Sequence, residues 1–598
     1  MCGIIGAVTE SAIKPVLAGL GRLEYRGYDS SGISIVINNE IKTRKVQGKL
    51  KKLKHILTEQ PLDGEYAIGH TRWATHGKAT LINAHPHQCG QVSVVHNGII
   101  ENHLQLKQQL LKWGHILKSS TDSEVIPHLI NHYLSLQMTQ EEAIERTIKQ
   151  LKGSYALGVL INGVEKNLYA IKQSSPLVIS EGNDGAYMAS DAMALDRDTN
   201  KIYYPKDNEL IRLNADNVQL CNASLNKKIH YVNNTYCANI ITKGKYGSFM
   251  EKEIFEQVEL LSNAMSKQQA SSYTAINFTR LNKITIIACG TSYYAAAVAK
   301  FWFEKYANIS VAIDIASEYR YRSPIITDNE LTIFVSQSGE TADTLAALAY
   351  AKSKKAQTLA LVNVCNSSIA READSSFEIF AGPEIGVAST KAFTCQLAVF
   401  YKMCIEAAKQ RAFISHTELR KLASYFQLVP YLIKRVLKQS SDMKRLAKKL
   451  STYSNVLFLG RGIVTPIAQE GALKLKEISY IHAEAYAAGE LKHGPIALLD
   501  ENMPVIVLAP KDSLTDKLLS NIQEVQARNA PVFIIGDACI REYINLQEDE
   551  FFELPSIPES ILPFITVLPM QLLALYCAQT LERNVDQPRN LAKSVTVE

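Results

Sequence analysis

No C-x-x-C pair occurs among the ten cysteines, which stand at 2, 89, 221, 237, 289, 365, 395, 404, 539 and 577. Without a regular framework they point to reduced thiols in a cytoplasmic compartment. Charge of one sign is equally scarce. The 64 Lys and Arg against 59 Asp and Glu leave a net +5 that is dispersed rather than gathered in a stripe. That argues against nucleic acid as a partner and leaves a sugar phosphate easy to hold. The N-terminus has no basic flank followed by an apolar run, so no signal peptide is expected. The Walker lysine and its G-x-x-x-x-G-K spacing are missing, which excludes a nucleotide loop of that kind. Only one uncharged apolar run approaches the roughly 18 residues of a membrane span, Ile561 to Ala578. Pro563, Pro569 and Gln571 interrupt it, so it reads as a buried helix starting near Pro569, with no membrane partner expected. No metal, nucleotide or redox cofactor is expected.

What is present is a long and otherwise ordinary chain. Its 598 residues exceed one core and suggest roughly three or four domains. The hydrophobic share of 46% is that of a soluble globular protein. The distinctive stretch is Met1-Cys2-Gly3-Ile4-Ile5-Gly6. Removal of Met1, expected before so small a residue, leaves Cys2 with a free α-amine. That amine titrates about 2.5 units below lysine, so near neutral pH it can take the proton of its own thiol.

From Cys2 to about Gly182 the pattern is paired short strands with two or three helices. A hairpin turns at Asn38-Asn39, Gln91–His96 is a strand running into Asn97-Gly98, and a helix from Asn102 stops at Gly114. Ser120-Thr121-Asp122-Ser123-Glu124 reads as the start of the next helix. The sum is a layered α+β domain. Polar clusters interrupt its apolar strands at Arg26–Gly32, Gly69–Gly77 and His96–Gly98. An amide hydrolase built on Cys2 needs oxyanion donors, which the Asn97 side chain and the Gly98 backbone N–H can supply. It also needs a guanidinium and a carboxylate for the α-groups of glutamine, for which Arg72 and Asp122 are candidates. His85, His87 and Cys89 alternate like metal ligands, but Pro86 and Gly90 make the segment irregular and it reads as an ordinary loop.

Taken together, these motifs resemble the class II glutamine amidotransferase domain, an N-terminal-nucleophile fold, over about the first 240 residues. The resemblance implies Cys2 as nucleophile and Asn97 and Gly98 as the oxyanion hole. It further implies Arg72, Thr75, His76 and Asp122 as glutamine contacts and Trp73 as a gate for ammonia.

After strand-rich residues near Lys227–Tyr231 and a polar linker at 241–249, the chain alternates helix and strand, as a parallel sheet requires. Two halves, expected at 250–425 and 426–585, share one grammar: strand Lys283–Cys289, turn Gly290–Ser292, helix; then strand Asn455–Gly460, turn Arg461-Gly462, helix. Ser336-Gln337-Ser338-Gly339-Glu340-Thr341 leaves a buried strand and opens a helix, a place suited to a monophosphate ester. Lys474 and Glu477 stand three apart on a helix face, and His493 follows a loop. Lysine, glutamate and histidine are the groups an aldose–ketose interconversion uses. The tail 586–598 contains Lys593, whose amine can condense with a ketose carbonyl.

The duplicated strand, Ser-rich turn and helix resemble sugar isomerase (SIS) domains, α/β parallel-sheet folds that bind phosphosugars. The resemblance implies a phosphate cradle of Ser336, Gln337, Ser338 and Thr341 with Thr291 and Ser292 nearby. It implies Lys593 as a Schiff-base lysine, Glu477 with Lys474 at the isomerisation site and His493 in ring opening, the last reaching the site from a partner subunit of a homodimer. Ser248 and Val258 stand where the family usually has histidine and proline. The expected reaction moves ammonia from glutamine to fructose 6-phosphate. The alternatives are a phosphosugar sensor without catalysis, or a glutamine amidotransferase with another acceptor.

Overall fold

The computed structural model describes residues 2–74, 76–182, 184–195, 201–215, 217–222, 229–234, 242–266, 275–544 and 546–596. The chain forms two compact units, Met1–Ile241 with Ala592–Glu598, and Thr242–Leu591.

In the first unit two antiparallel sheets stack face to face. Gly3–Thr9 lies inside an eight-stranded sheet, paired with Tyr66–Arg72 on one side and Gly185–Ala189 on the other. Val92–Ile100 pairs with Gly153–Asn162 in a six-stranded sheet. Between the sheets, Ile4, Val8 and Ile68 of one meet Val95, Ala156 and Leu160 of the other in a closed apolar layer. Each outer face is covered by helices: Ile13–Leu23 and Leu50–Glu59 on one, and His103–Lys112, Val125–Ser135 and Gln140–Ile148 on the other. Helix, sheet, sheet, helix is the layered α+β order read from the strand pattern. The hairpin turns at Asn38 and Asn39, both left-handed (φ 48° and 63°), as a two-residue loop between twisted strands demands. Of the expected strand at Lys227–Tyr231, residues 227 and 228 lie outside the described residues, and the pairing begins at Val232–Asn233.

The second unit holds two five-stranded parallel sheets of identical order. In the first, Lys283–Ala288 lies between Ser310–Ile315 and Glu330–Ser336, followed by Gln357–Val362 and Ser375–Glu378. In the second, Asn455–Gly460 lies between His482–Ala487 and Val505–Ala509, followed by Val532–Asp537 and Phe551–Leu554. In such an order the crevice for a ligand opens where the connections diverge, at the carboxyl ends of the central strands. Those ends carry Gly290 and Ser336 in one half and Arg461 in the other. One apolar core runs through both halves, from Met250 to Val585.

Three expectations need correction here. The apolar helix spans Leu562–Thr580, not from Pro569 onward. Pro563 sits in its first turn, where a missing N–H costs nothing, and Pro569 is tolerated inside because the surrounding helices bury almost every residue. The boundary expected at 425/426 falls within helix His416–Lys438. Thr291 and Ser292 lie in the first turn of helix Gly290–Trp302, not in a separate turn. At Ser248 the hydroxyl accepts the backbone N–H of Glu251 and so caps helix Phe249–Ser266, while both Asp586 oxygens accept the N–H groups of Phe249 and Met250. Val258 occupies the middle of that helix.

Candidate active site

Cys2 immediately precedes strand Gly3–Thr9. Its Sγ accepts the N–H of Trp73 at 3.2 Å and donates to the Trp73 carbonyl at 3.5 Å. Burial pushes the thiol upward, with the Trp73 N–H and the Arg72 charge acting in the opposite direction. Cys2, Arg72, His76, Asn97, Gly98 and Asp122 line one cavity, and Thr596 of the tail, which belongs to the same unit, lines it too. Thr75 and Met1 lie outside the described residues.

Asn97 and Gly98 lie within strand Val92–Ile100. The Asn97 amide has a fixed orientation. Its Oδ1 lies 3.0 Å from His70 Nε2, and its Nδ2 donates to the Cys2 carbonyl at 3.0 Å. His70 Nε2 is also 3.1 Å from the His96 carbonyl, so both of its neighbours are acceptors and the proton must sit on Nε2. Burial drives His70 down to about 3, so the ring stays neutral and keeps that donor. His70 is thus a positioning residue that turns the Asn97 N–H groups toward Cys2. The sequence placed His70 in a polar cluster without revealing this contact.

Gly98 has φ +129°, and a Cβ there would stand 2.0 Å from the Ser154 carbonyl oxygen. Gly98→Ala is therefore expected to destabilise the N-terminal unit by about 2 kcal/mol or more, since neither a strand neighbour nor the backbone angle can yield cheaply. Thermal unfolding of the variant beside wild type checks this.

Arg72 donates to the carbonyls of His76, Gly77 and Lys78 at 2.5, 3.0 and 3.3 Å, which folds the 76–78 loop around the guanidinium. Asp29 accepts the Ala74 N–H at 2.8 Å and steadies the same segment from the other side. Asp122 is not a helix cap. It accepts the Ile100 N–H at 2.8 Å, and helix Val125–Ser135 begins after Glu124. His85 and His87 turn inward, the His85 ring lying tilted against that of His70 with centroids 4.2 Å apart and His87 Nε2 lying 3.1 Å from the Thr121 hydroxyl.

In the second unit, Ser336–Thr341 forms a tight turn before helix Ala342–Ser353. Ser336 Oγ accepts the Gly339 N–H at 3.0 Å and lies 2.9 Å from Thr341 Oγ1, while Ser338 Oγ accepts the Glu340 N–H at 3.2 Å. Gly339 is left-handed (φ +65°), and a Cβ would fall 1.9 Å from Ser367 Oγ. Gln337 lies within this turn, and Ser292 Oγ accepts from Gln396 Nε2 at 2.9 Å.

Helix Thr465–Ser479 brings Glu470, Lys474 and Glu477 together. Lys474 Nζ is 2.5 Å from Glu477 Oε2 and 3.6 Å from Glu470 Oε1. Thr291 Oγ1 donates to Glu470 Oε1 at 3.1 Å, which ties the first helix of one half to the matching helix of the other. The Glu470 side chain is 0% exposed and that of Glu477 is 21% exposed. Burial pushes the Glu470 carboxyl up to about 8 despite Lys474 beside it, whereas the two carboxylates hold Lys474 above the ordinary lysine value. Lys474 thus stays charged between the two acidic side chains, and burial favours the protonated form of Glu470. Glu470 carries no separate signal in the sequence, because Lys474 and Glu477 already satisfy the helix-face pattern.

The raised carboxyl sets a pH dependence. The unfolded Glu470 titrates near 4.5 and the folded one near 8, so its contribution to stability is complete below about 4.5 and is lost as pH rises through about 8. The unfolding temperature of wild type should fall between pH 6 and 9 more steeply than that of Glu470→Gln; equal slopes would refute the protonated carboxyl. His493 is exposed at the end of a short helical turn, Ala488–His493. Lys593 is half-buried and belongs to the same compact unit as Cys2, whereas Glu477 and the Ser336–Thr341 turn belong to the other.

The family described as a glutamine amidotransferase domain matches residues 70–197, and the SIS domain matches residues 277–405 and again 449–581. These define a glutamine amidotransferase domain followed by two SIS domains. The chain is 46% identical over 607 residues to the glutamine–fructose-6-phosphate aminotransferase (isomerising) of Bartonella quintana (strain Toulouse), with 100% of each chain covered. It is 44% identical over 608 residues to the protein of the same name from Mesorhizobium japonicum, again with 100% of both covered. A solved C-terminal domain of glucosamine-fructose-6-phosphate aminotransferase from Francisella tularensis matches 58% of this chain and 100% of its own, at 42% identity and a TM-score of 0.55. The chain belongs to the glutamine–fructose-6-phosphate aminotransferase (isomerising) family.

Proposed function

We propose that the protein moves the amide nitrogen of glutamine to C2 of fructose 6-phosphate and releases glutamate and glucosamine 6-phosphate. The observation that carries this reading is likeness to such enzymes over the whole chain, so that donor and acceptor halves occur together.

The Cys2 thiolate attacks the glutamine amide after its proton passes to its own α-amine, ammonia leaves, and water hydrolyses the thioester to glutamate. Asn97 Nδ2 and the Gly98 N–H receive the oxyanion, while Arg72 and Asp122 hold the α-carboxylate and α-amine, with Thr75 and His76 as further contacts. Trp73 gates the ammonia. In the second half the Ser336–Thr341 turn, with Thr291 and Ser292, holds the phosphate at a helix N-terminus. The Lys593 amine condenses with the C2 carbonyl and expels water, and ammonia displaces the lysine to leave a C2 imine. Glu477, supported by Lys474, takes a proton from C1 as the imine nitrogen gains one, and the resulting enolamine is protonated at C2 while O1 gives up its proton, leaving the C1 aldehyde and the C2 amine. Of the two carboxyls beside Lys474, Glu477 is the one a substrate can reach. His493 opens the sugar ring from a partner subunit, which makes the working form a homodimer; its exposure in a single chain fits that role. Each described cysteine is a free thiol, which supports a reducing, cytoplasmic setting.

The test is stoichiometry. Glutamine and fructose 6-phosphate supplied together should yield glutamate and hexosamine phosphate in equal amounts. A protein that binds hexose phosphate and yields no amino sugar is a sensor, and this reading fails.

A further inference from the structure

Three side chains that the chemistry above leaves idle meet in the first unit. Cys89 ends strand His87–Cys89, His115 lies in the loop after helix His103–Lys112, and His128 projects from helix Val125–Ser135. One donor atom from each lies within 4.8 Å of the other two. His115 and His128 face each other through Nδ1 at 3.2 Å. Tetrahedral zinc, with Zn–N of about 2.0–2.1 Å, places two nitrogen ligands roughly 3.3 Å apart. A proton shared between the rings accounts for that spacing but gives the thiol no part.

The outer nitrogens of both rings are already directed. His128 Nε2 lies 3.8 Å from Glu124 Oε1, and Glu124 is itself fixed by the N–H groups of Lys118 and Ser119 at 2.9 and 2.6 Å. His115 Nε2 lies 3.3 Å from His132 Nδ1, and His132 stacks on Trp113 with centroids 4.0 Å apart. A carboxylate behind an imidazole is an arrangement that orients histidine ligands, and here Glu124 stands behind His128 while the two Nδ1 atoms turn toward each other. His132 engages the opposite nitrogen of His115, so it stands behind the ligand rather than beside it.

We propose that Cys89, His115 and His128 bind a zinc-class divalent ion, joining strand His87–Cys89 and the 115 loop to helix Val125–Ser135. One thiolate and two imidazoles select such an ion over magnesium or calcium. The segment Ser119–Glu124 runs from this cluster to Thr121 and Asp122 of the Cys2 cavity, so occupancy braces the glutamine pocket from behind. The pattern His85, His87 and Cys89 hinted at a metal, but only Cys89 faces these partners.

Cobalt(II) titration of the purified full-length chain tests the site. A near-ultraviolet thiolate-to-cobalt band and visible tetrahedral bands should saturate at a single equivalent and be displaced by zinc. The thiolate band should vanish in Cys89→Ser, persist in Cys2→Ala, and saturable binding should be lost in His115→Ala. A far-ultraviolet circular dichroism spectrum and a cooperative thermal transition like those of wild type show that metal-free Cys89→Ser is folded. Absence of the bands from wild type overturns the proposal. So does a thiolate band that survives Cys89→Ser and disappears in Cys2→Ala, which would place the ion on the nucleophile.

Discussion

A chain that keeps any residue ahead of Cys2 should hydrolyse glutamine about 10²–10⁴-fold more slowly than the processed chain, the usual contribution of a positioned general base. Cys2→Ala should not hydrolyse it at all. The hydrogen-bond neighbours of Cys2 Sγ among the described residues are the Trp73 N–H and carbonyl, neither of which can take a proton. His70, a buried imidazole of the same site, is committed through Nε2 to Asn97 and is driven down to about 3, too weak a base for a thiol raised by burial. In the proposed mechanism the free α-amine of Cys2 activates the thiol, and acylating it removes its basicity. A cleavable N-terminal extension gives both forms from one preparation. Glutamate release should appear only after cleavage, and hexose phosphate interconversion should be the same before and after. Equal glutaminase rates in the two forms would contradict the assignment.

Glu477→Gln should reverse that division, cutting hexose phosphate interconversion by about 10²–10⁴-fold while leaving glutamate release intact. Glu470 cannot replace it, because its side chain is fully buried and its carboxyl is held protonated near neutral pH. The amide of glutamine keeps the shape and the Lys474 contact but has no basic lone pair for the C1 proton. Deuterium entering the sugar from heavy water reads this step apart from ammonia delivery. Undiminished deuterium uptake in Glu477→Gln would pass the role to another residue.

What the sequence disclosed was contiguous in it. Cys2 and its amine are one residue, the hairpin at Asn38-Asn39 is a dipeptide, and the Ser336–Thr341 turn follows its strand without a break. The duplicated order of strands was legible for the same reason, since each half repeats strand, turn and helix within a short stretch. Contacts between distant segments were hidden. His70 orients Asn97 across two sheets, and Thr291 meets Glu470 only because two matching helices pack together. Cys89, His115 and His128 converge from a strand, a loop and a helix. Proline misled at one place: Pro569 lies within a helix, where packing outweighs the lost backbone bond. Helix His416–Lys438 crosses the point at which the two halves were expected to part.

The central claim is that one chain passes nitrogen from the Cys2 site to the sugar. Glutamine labelled with 15N in the amide, supplied with fructose 6-phosphate in a buffer containing unlabelled ammonium, tests it most directly. Glucosamine 6-phosphate carrying 15N at C2 is the predicted product. Product carrying only the unlabelled nitrogen, with glutamate released alongside, would contradict the account.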